Sequence, residues 1–183
     1  MTAVPNVTPP TTILAGWIGK VFWLRVEGKG TFQCSLQVKR AFQAVLKSGA
    51  RDLVVDLERC PVMDSTFLGT LTYAAVTLRN SGGGSFSILN ANPRNLQLLA
   101  DLGLNHVMQV DAEGTIWPEE RLIACRMLDS CGVTGDAGRQ EQAQHVLEAH
   151  QTLSELSSTN QQRFRDVIHF LEQEIQEPPR PAP

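Results

Sequence analysis

Residues 53–69 read LVVDLERCPVMDSTFLG, and the fold turns on what that stretch contains. Its first part, 52–57 (DLVVDL), is a short apolar run of the kind that forms a central strand covered on both faces. A polar turn follows at Glu58, Arg59, Cys60 and Pro61. Asp64, Ser65 and Thr66 then open a helix whose Leu68, Leu71, Ala75 and Leu78 stand at i, i+3, i+7 and i+10. The run Ser81, Gly82, Gly83, Gly84 stops it. A helix start of this kind carries unpaired backbone N–H groups and partial positive charge, so it accommodates an anion or a phosphoryl group beside its hydroxyls. Asp, Ser and Thr are also the favoured N-caps, and capping alone accounts for all three. No Glu or Gln follows three residues on to complete a capping box.

Upstream, 12–15 and 20–26 are rich in β-branched and aromatic residues and are parted by Gly16 and Gly19. Val21, Trp23 and Arg25 alternate with Phe22, Leu24 and Val26, so a hairpin of two strands is expected. Residues 35–48 place Val38, Ala41, Phe42, Val45 and Leu46 on one side, a helix closed by Gly49. Downstream, 86–89 is a further buried strand. Residues 93–102 form a helix with Pro93 in its first turn, and 106–110 a last short strand. The order predicts an α/β fold with a mixed, mostly parallel sheet, right-handed crossovers and packed helices.

Beyond residue 112 the pattern changes. Residues 113–139 read as a linker: 122–128 has helical character, but Gly132, Gly135 and Gly138 interrupt. Residues 140–176 form a helical hairpin. Val146, Leu147, His150 and Leu153 share a side of its first helix, and Phe164, Val167, Ile168, Leu171 and Ile175 mark the second. The Pro-rich segments 1–11 and 177–183 are read as a disordered lead-in and tail around a domain at 12–112.

The whole chain bounds the function. It has 183 residues, 42% hydrophobic and 19% charged, enough for one sizeable core. A net charge of −3 without a basic run gives no reason to expect nucleic acid or an anionic membrane as partner. No run approaches the roughly 18 apolar residues of a membrane span, and the start lacks a signal peptide's basic and apolar regions. A cytoplasmic location is expected. Cys34, Cys60, Cys125 and Cys131 show no C-x-x-C spacing, and His106, His145, His150 and His169 no i, i+4 pair. The cysteines are therefore read as buried, reduced thiols, and neither a metal site nor a cofactor is expected. Asp56 at a strand end is read as a loop-orienting acceptor rather than a general base. The glycines 82–84 follow a helix and precede a strand, the reverse of a phosphate loop. No enzymatic activity is expected.

The stretch from strand to helix resembles the signature of the STAS domain, the fold of bacterial anti-sigma-factor antagonists. That family's motif is usually Asp-Ser-(Ser/Thr)-Gly-Leu-Gly after an apolar strand ending in Asp-Leu. Asp64, Ser65, Thr66, Leu68 and Gly69 match it, as do Val55, Asp56 and Leu57. The resemblance spans about residues 12 to 112. It implies a regulatory protein-interaction module for transcription, switched by serine phosphorylation in a partner-switching pathway. Ser65 is the implied phosphosite with Thr66 as second choice, and Asp64, Ser65, Thr66 and Phe67 form the implied partner surface. The implied partners are a serine-kinase anti-sigma factor and a PP2C-type phosphatase. Phe67 stands where the family usually has glycine, and Thr31 near where it has an acidic residue. Two other readings stay open: a sensor of a nucleotide or lipid at the same helix terminus, and a constitutive scaffold. The apolar faces of the C-terminal helices also leave homodimerisation open.

Overall fold

The computed structural model describes residues 10–132 and 138–176; the expected lead-in and tail fall outside them, apart from Pro10 and Thr11. The hairpin is β1 (Thr12–Ile18) and β2 (Val21–Glu27). There follow α1 (Phe32–Lys47), β3 (Asp52–Asp56), α2 (Ser65–Asn80), β4 (Ser85–Leu89) and α3 (Pro93–Asp101). A 3-10 turn at Leu104–His106 leads into β5 (Gln109–Asp111). The last strand therefore begins later than the expected 106–110, because His106 closes that turn, whose Leu104 is buried in the core.

The sheet order is β5-β4-β3-β2-β1 with one more strand beyond β1. The pairs β2–β3, β3–β4 and β4–β5 are parallel, and β1 is antiparallel to its neighbours, as the α/β reading requires. The period-two alternation of β2 divides two cores. Phe22, Leu24 and Val26 join Leu53 and Val55 of β3 against Val38 and Phe42 of α1 and Phe67, Leu68 and Leu71 of α2. Val21 and Trp23 point the other way, with Val54 and Leu89.

The segment read as a linker carries structure. α4 (Pro118–Met127) covers the second face, where Ala124 is buried beside Trp23 and Val54. After it β6 (Asp129–Ser130) pairs antiparallel with Leu14 and Ala15 of β1, and Cys131 N–H donates to the Ile13 carbonyl at 2.8 Å. Cys125 on α4 is exposed, contrary to the expectation for all four thiols; Cys34, Cys60 and Cys131 are buried and free.

The hairpin, α5 (Arg139–Ser154) and α6 (Ser158–Gln176), lies against the domain rather than apart from it. Leu153 and Phe164 belong to the main core, and Asn160 Nδ2 donates to the carbonyls of Leu102 and Leu153 at 3.0 and 3.1 Å. α2 is thus enclosed between sheet and hairpin, and its consecutive residues Thr66–Thr72 are all buried. Several apolar residues free for a dimer on the sequence reading, Leu147, Leu153, Phe164 and Leu171, are buried within the chain.

Candidate functional site

The site forms where the loop after β2 meets the loop after β3. Gly30 N–H donates to Val62 O at 3.0 Å and Asp64 N–H to Gly30 O at 2.9 Å, which brings the starts of α1 and α2 side by side. Gly30 has to be glycine: a Cβ there would sit 2.9 Å from the ring of Phe67. The aromatic ring at the family's usual glycine position is thus seated by a second glycine on the facing loop.

Asp64 serves both helices. Its Oδ1 accepts from Phe67 N–H at 2.9 Å, capping α2, and its Oδ2 accepts from Phe32 N–H at 2.8 Å, capping α1 across the gap. Thr31 is the N-cap of α1 by position, but its side chain makes no capping bond. One carboxylate at position 64 therefore supplies the cap that Thr31 does not.

The four residues expected to form the surface do not share one. Asp64 and Ser65 are half-buried, whereas Thr66 is buried and Phe67 is 0% exposed. Phe67 is a core residue beneath the helix start, and Thr66 is 4% exposed. Of the four, only Asp64 and Ser65 keep part of their surface in solvent, beside the exposed Phe32.

Ser65 has a partner the sequence reading missed. Its Oγ lies 2.9 Å from Nε2 of His150 on α5. The imidazole's other nitrogen, Nδ1, lies 2.8 Å from the Val146 carbonyl, which can only accept. Nδ1 therefore carries a proton, and Nε2 is the nitrogen left to pair with the Ser65 hydroxyl. The ring is 5% exposed and packs edge-on to Phe164 at 5.4 Å. One turn and a half earlier, His145 Nε2 lies 2.9 Å from Ser35 Oγ and 3.3 Å from Thr70 Oγ1. Both hydroxyls already donate to backbone carbonyls, Phe32 and Thr66, so His145 Nε2–H is shared between them and Nδ1 is left buried without a partner. Burial, then the nearby Lys39, pushes the His145 pKa down to about 4, so the ring is neutral. The sequence shows only a histidine pair five apart, which a search for metal spacing passes over; the three hydroxyls that the pair faces are brought to it by packing.

The model of the family described as Mlab, STAS domain, matches residues 16–110. The chain belongs to the STAS-domain family. Among solved structures, an anti-sigma factor antagonist from Mycobacterium paratuberculosis is similar with a TM-score of 0.51 and 17% identity, covering 67% of this chain and 97% of that one. A protein of Thermotoga maritima, tm1081, described as a candidate anti-sigma factor antagonist, is similar with a TM-score of 0.52 and 19% identity, covering 63% of this chain and 96% of that one. At these identities the likeness is one of fold. No curated protein matches the chain. In this STAS protein α4, β6, α5 and α6 all lie beyond the family match. Among the described residues no helix is long and apolar enough to cross a membrane, and no three metal-ligating side chains gather.

Proposed function

We propose that this STAS chain is a regulatory protein-interaction module of the anti-sigma-factor-antagonist type, working in the cytoplasm and switched by phosphorylation of Ser65. The observation that carries the reading is the double cap: Asp64 holds the starts of α1 and α2 together, and the serine next to it stands in the first turn of α2. A charge added at that place is favoured by the α2 dipole, so the domain tolerates it. A serine-kinase anti-sigma factor is the partner class that fits, with a PP2C-type phosphatase reversing the step. In the transfer Ser65 Oγ bonds the terminal phosphorus of an ATP held by the kinase. The bond from that phosphorus to ADP breaks, and the hydroxyl proton passes to a base of the kinase.

The Ser65–His150 contact favours a second reading, a hydroxyl nucleophile beside an imidazole base. Against it, His150 Nδ1 is oriented by its own helix rather than by a carboxylate, and the groove between α5 and α6, lined by Gln151, Arg165, His169 and Glu172, includes neither residue. We therefore assign the chain no catalytic role.

The test captures partners from the source organism with wild type, Ser65→Ala and Ser65→Asp as baits. A partner packed over Ser65 would have to desolvate the new charge, at a cost of several kcal/mol or about a hundredfold in affinity. Ser65→Asp should lose partners that wild type and Ser65→Ala retain, with all three baits folded by circular dichroism. Equal recovery by all three would reduce Ser65 to a helix-start residue.

A further inference from the structure

We propose that the α5–α6 hairpin is a built-in mask over the Ser65 face, so that a partner reads Ser65 only after α5 has left α2. This rests on the reading of Ser65 as the switch, but its test needs no partner, so each can fail alone. Three observations converge on it. The hairpin lies outside the span matched by the family model, and all five strands from β1 to β5 precede it. It takes up the Ser65 hydroxyl, which is hydrogen-bonded to the buried His150 ring. It also meets α2 at a contact that only glycine permits: a Cβ on Gly69 would lie 2.2 Å from the Ala149 carbonyl oxygen, next to His150. Gly69, a residue of the family motif, therefore admits α5 to the face beside the switch serine.

The bonds across this seam suit a contact that opens. They are imidazole–hydroxyl pairs at Ser35, Thr70 and Ser65 and a bond from Gln142 Nε2 to the Phe32 carbonyl, bordered by ion pairs from Lys39 to Glu148 and Arg40 to Glu141. Hydroxyls and imidazoles regain their hydrogen bonds from water on separation, so parting leaves no ion without its counterion in an apolar core. The anchors Leu153, Phe164 and Asn160 at the turn of the hairpin hold the closed state as the ground state. If the open form is about 1% of molecules, a partner's apparent affinity is about a hundredfold below its intrinsic value.

The experiment uses the full chain carrying Ser65→Cys and follows alkylation of that thiol by peptide mass spectrometry, alone and with Gly69→Ala or Ala149→Glu. Gly69→Ala favours the α2 helix itself, so any loosening comes from the clash with α5. Ala149→Glu acts from the hairpin and leaves the STAS core sequence intact. Either change should speed alkylation at least tenfold and raise amide exchange in α5 by a similar factor, with amides of β2 and β3 unchanged. Unchanged alkylation in both would mean that Ser65 is open already and nothing masks it. Equal acceleration in α5 and in the β2 and β3 amides in both would make the hairpin an inseparable part of the domain. Either result overturns the proposal.

Discussion

α4 and α5 are both added to the STAS core beyond the family match, on opposite sides, and they are held by different chemistry. α4 is held by a hydrogen-bonded network of two ion pairs joined through Asn90. Arg25 Nε and Nη2 each lie 2.8 Å from Asp56 Oδ2, and Asn90 Nδ2 donates to Asp56 Oδ1 at 2.8 Å. Arg121 of α4 then reaches Asn90 Oδ1 at 2.5 Å and Asp111 at 2.6 Å. Asp111 also accepts N–H groups from Gly114 at 2.8 Å and Ile116 at 2.9 Å. Burial by itself would raise its pKa, but those N–H groups, that of Thr115 and Arg121 more than offset this and hold it below the ordinary carboxylate value. The network over-determines the backbone enough to keep two non-glycine residues left-handed, Asn90 at φ 57° and Trp117 at φ 58°. The α5 seam is centred on imidazole–hydroxyl pairs, keeps its ion pairs at its border and leaves one buried nitrogen unpaired. Paired charges buried at strand ends cannot part cheaply, whereas hydroxyls and imidazoles can.

The largest effect expected is from breaking the charged side. Asp56→Ala leaves the buried Arg25 guanidinium without its counterion and should cost about 3–5 kcal/mol of global stability, read by urea denaturation. A loss under 1 kcal/mol would mean that the network does not distinguish the α4 side at all. Acid acts on the other side. His145 is pushed down to about 4 in the folded chain against about 6.5 when free, so the unfolded or detached form binds the extra proton between those values. Stability conferred by the seam is complete above pH 6.5 and lost as pH falls toward 4, by ~2 kcal/mol at pH 5. The groups facing His145 are Lys39, which lowers its pKa, and Glu148 and Glu141, which raise it. Asp111, depressed, stays ionised through that window. Lowering the pH from 7 to 5 should therefore raise amide exchange in α5 and leave α4 protected; the reverse order would invert the comparison.

The strand-to-helix stretch was legible because its physics is local. DLVVDL is apolar on both faces because it lies between two layers, and Asp64 caps the helix that it begins. The alternation in β2, read only as the mark of a hairpin strand, is what separates the two cores. α4 could have been read from Pro118 at its start, Glu119 and Glu120 in its first turn and Arg126 in its last, but the glycines after it dominate the local pattern. β6, two residues long, has no pattern to read. The cover on α2 had a signal of a different kind: residues 65–78 contain no charged side chain, which is unusual for a helix with one face in water. The hidden Ser65–His150 pair spans 85 positions and depends on that packing, so no spacing rule reaches it.

The smallest effect expected is at the rim of the hairpin. Arg139 Nη2 lies 3.0 Å from Glu174 Oε1, joining the start of α5 to the end of α6, and the two side chains are 92% and 36% exposed. Such a pair gains little in water and orders two long side chains to do so. Arg139→Ala should change stability by less than about 0.5 kcal/mol and leave α5 exchange as it is in wild type. The reasoning is the same as at the seam, with its sign weakened by solvent: α5 is held where His145, His150, Leu147 and Leu153 are buried, not where its charges meet water. A loss above 1 kcal/mol confined to α5 and α6 would transfer the holding of the hairpin to its rim. Its attachment would then weaken with added salt rather than with acid, and the contrast between the two sides of the STAS core would be one of exposure instead of chemistry.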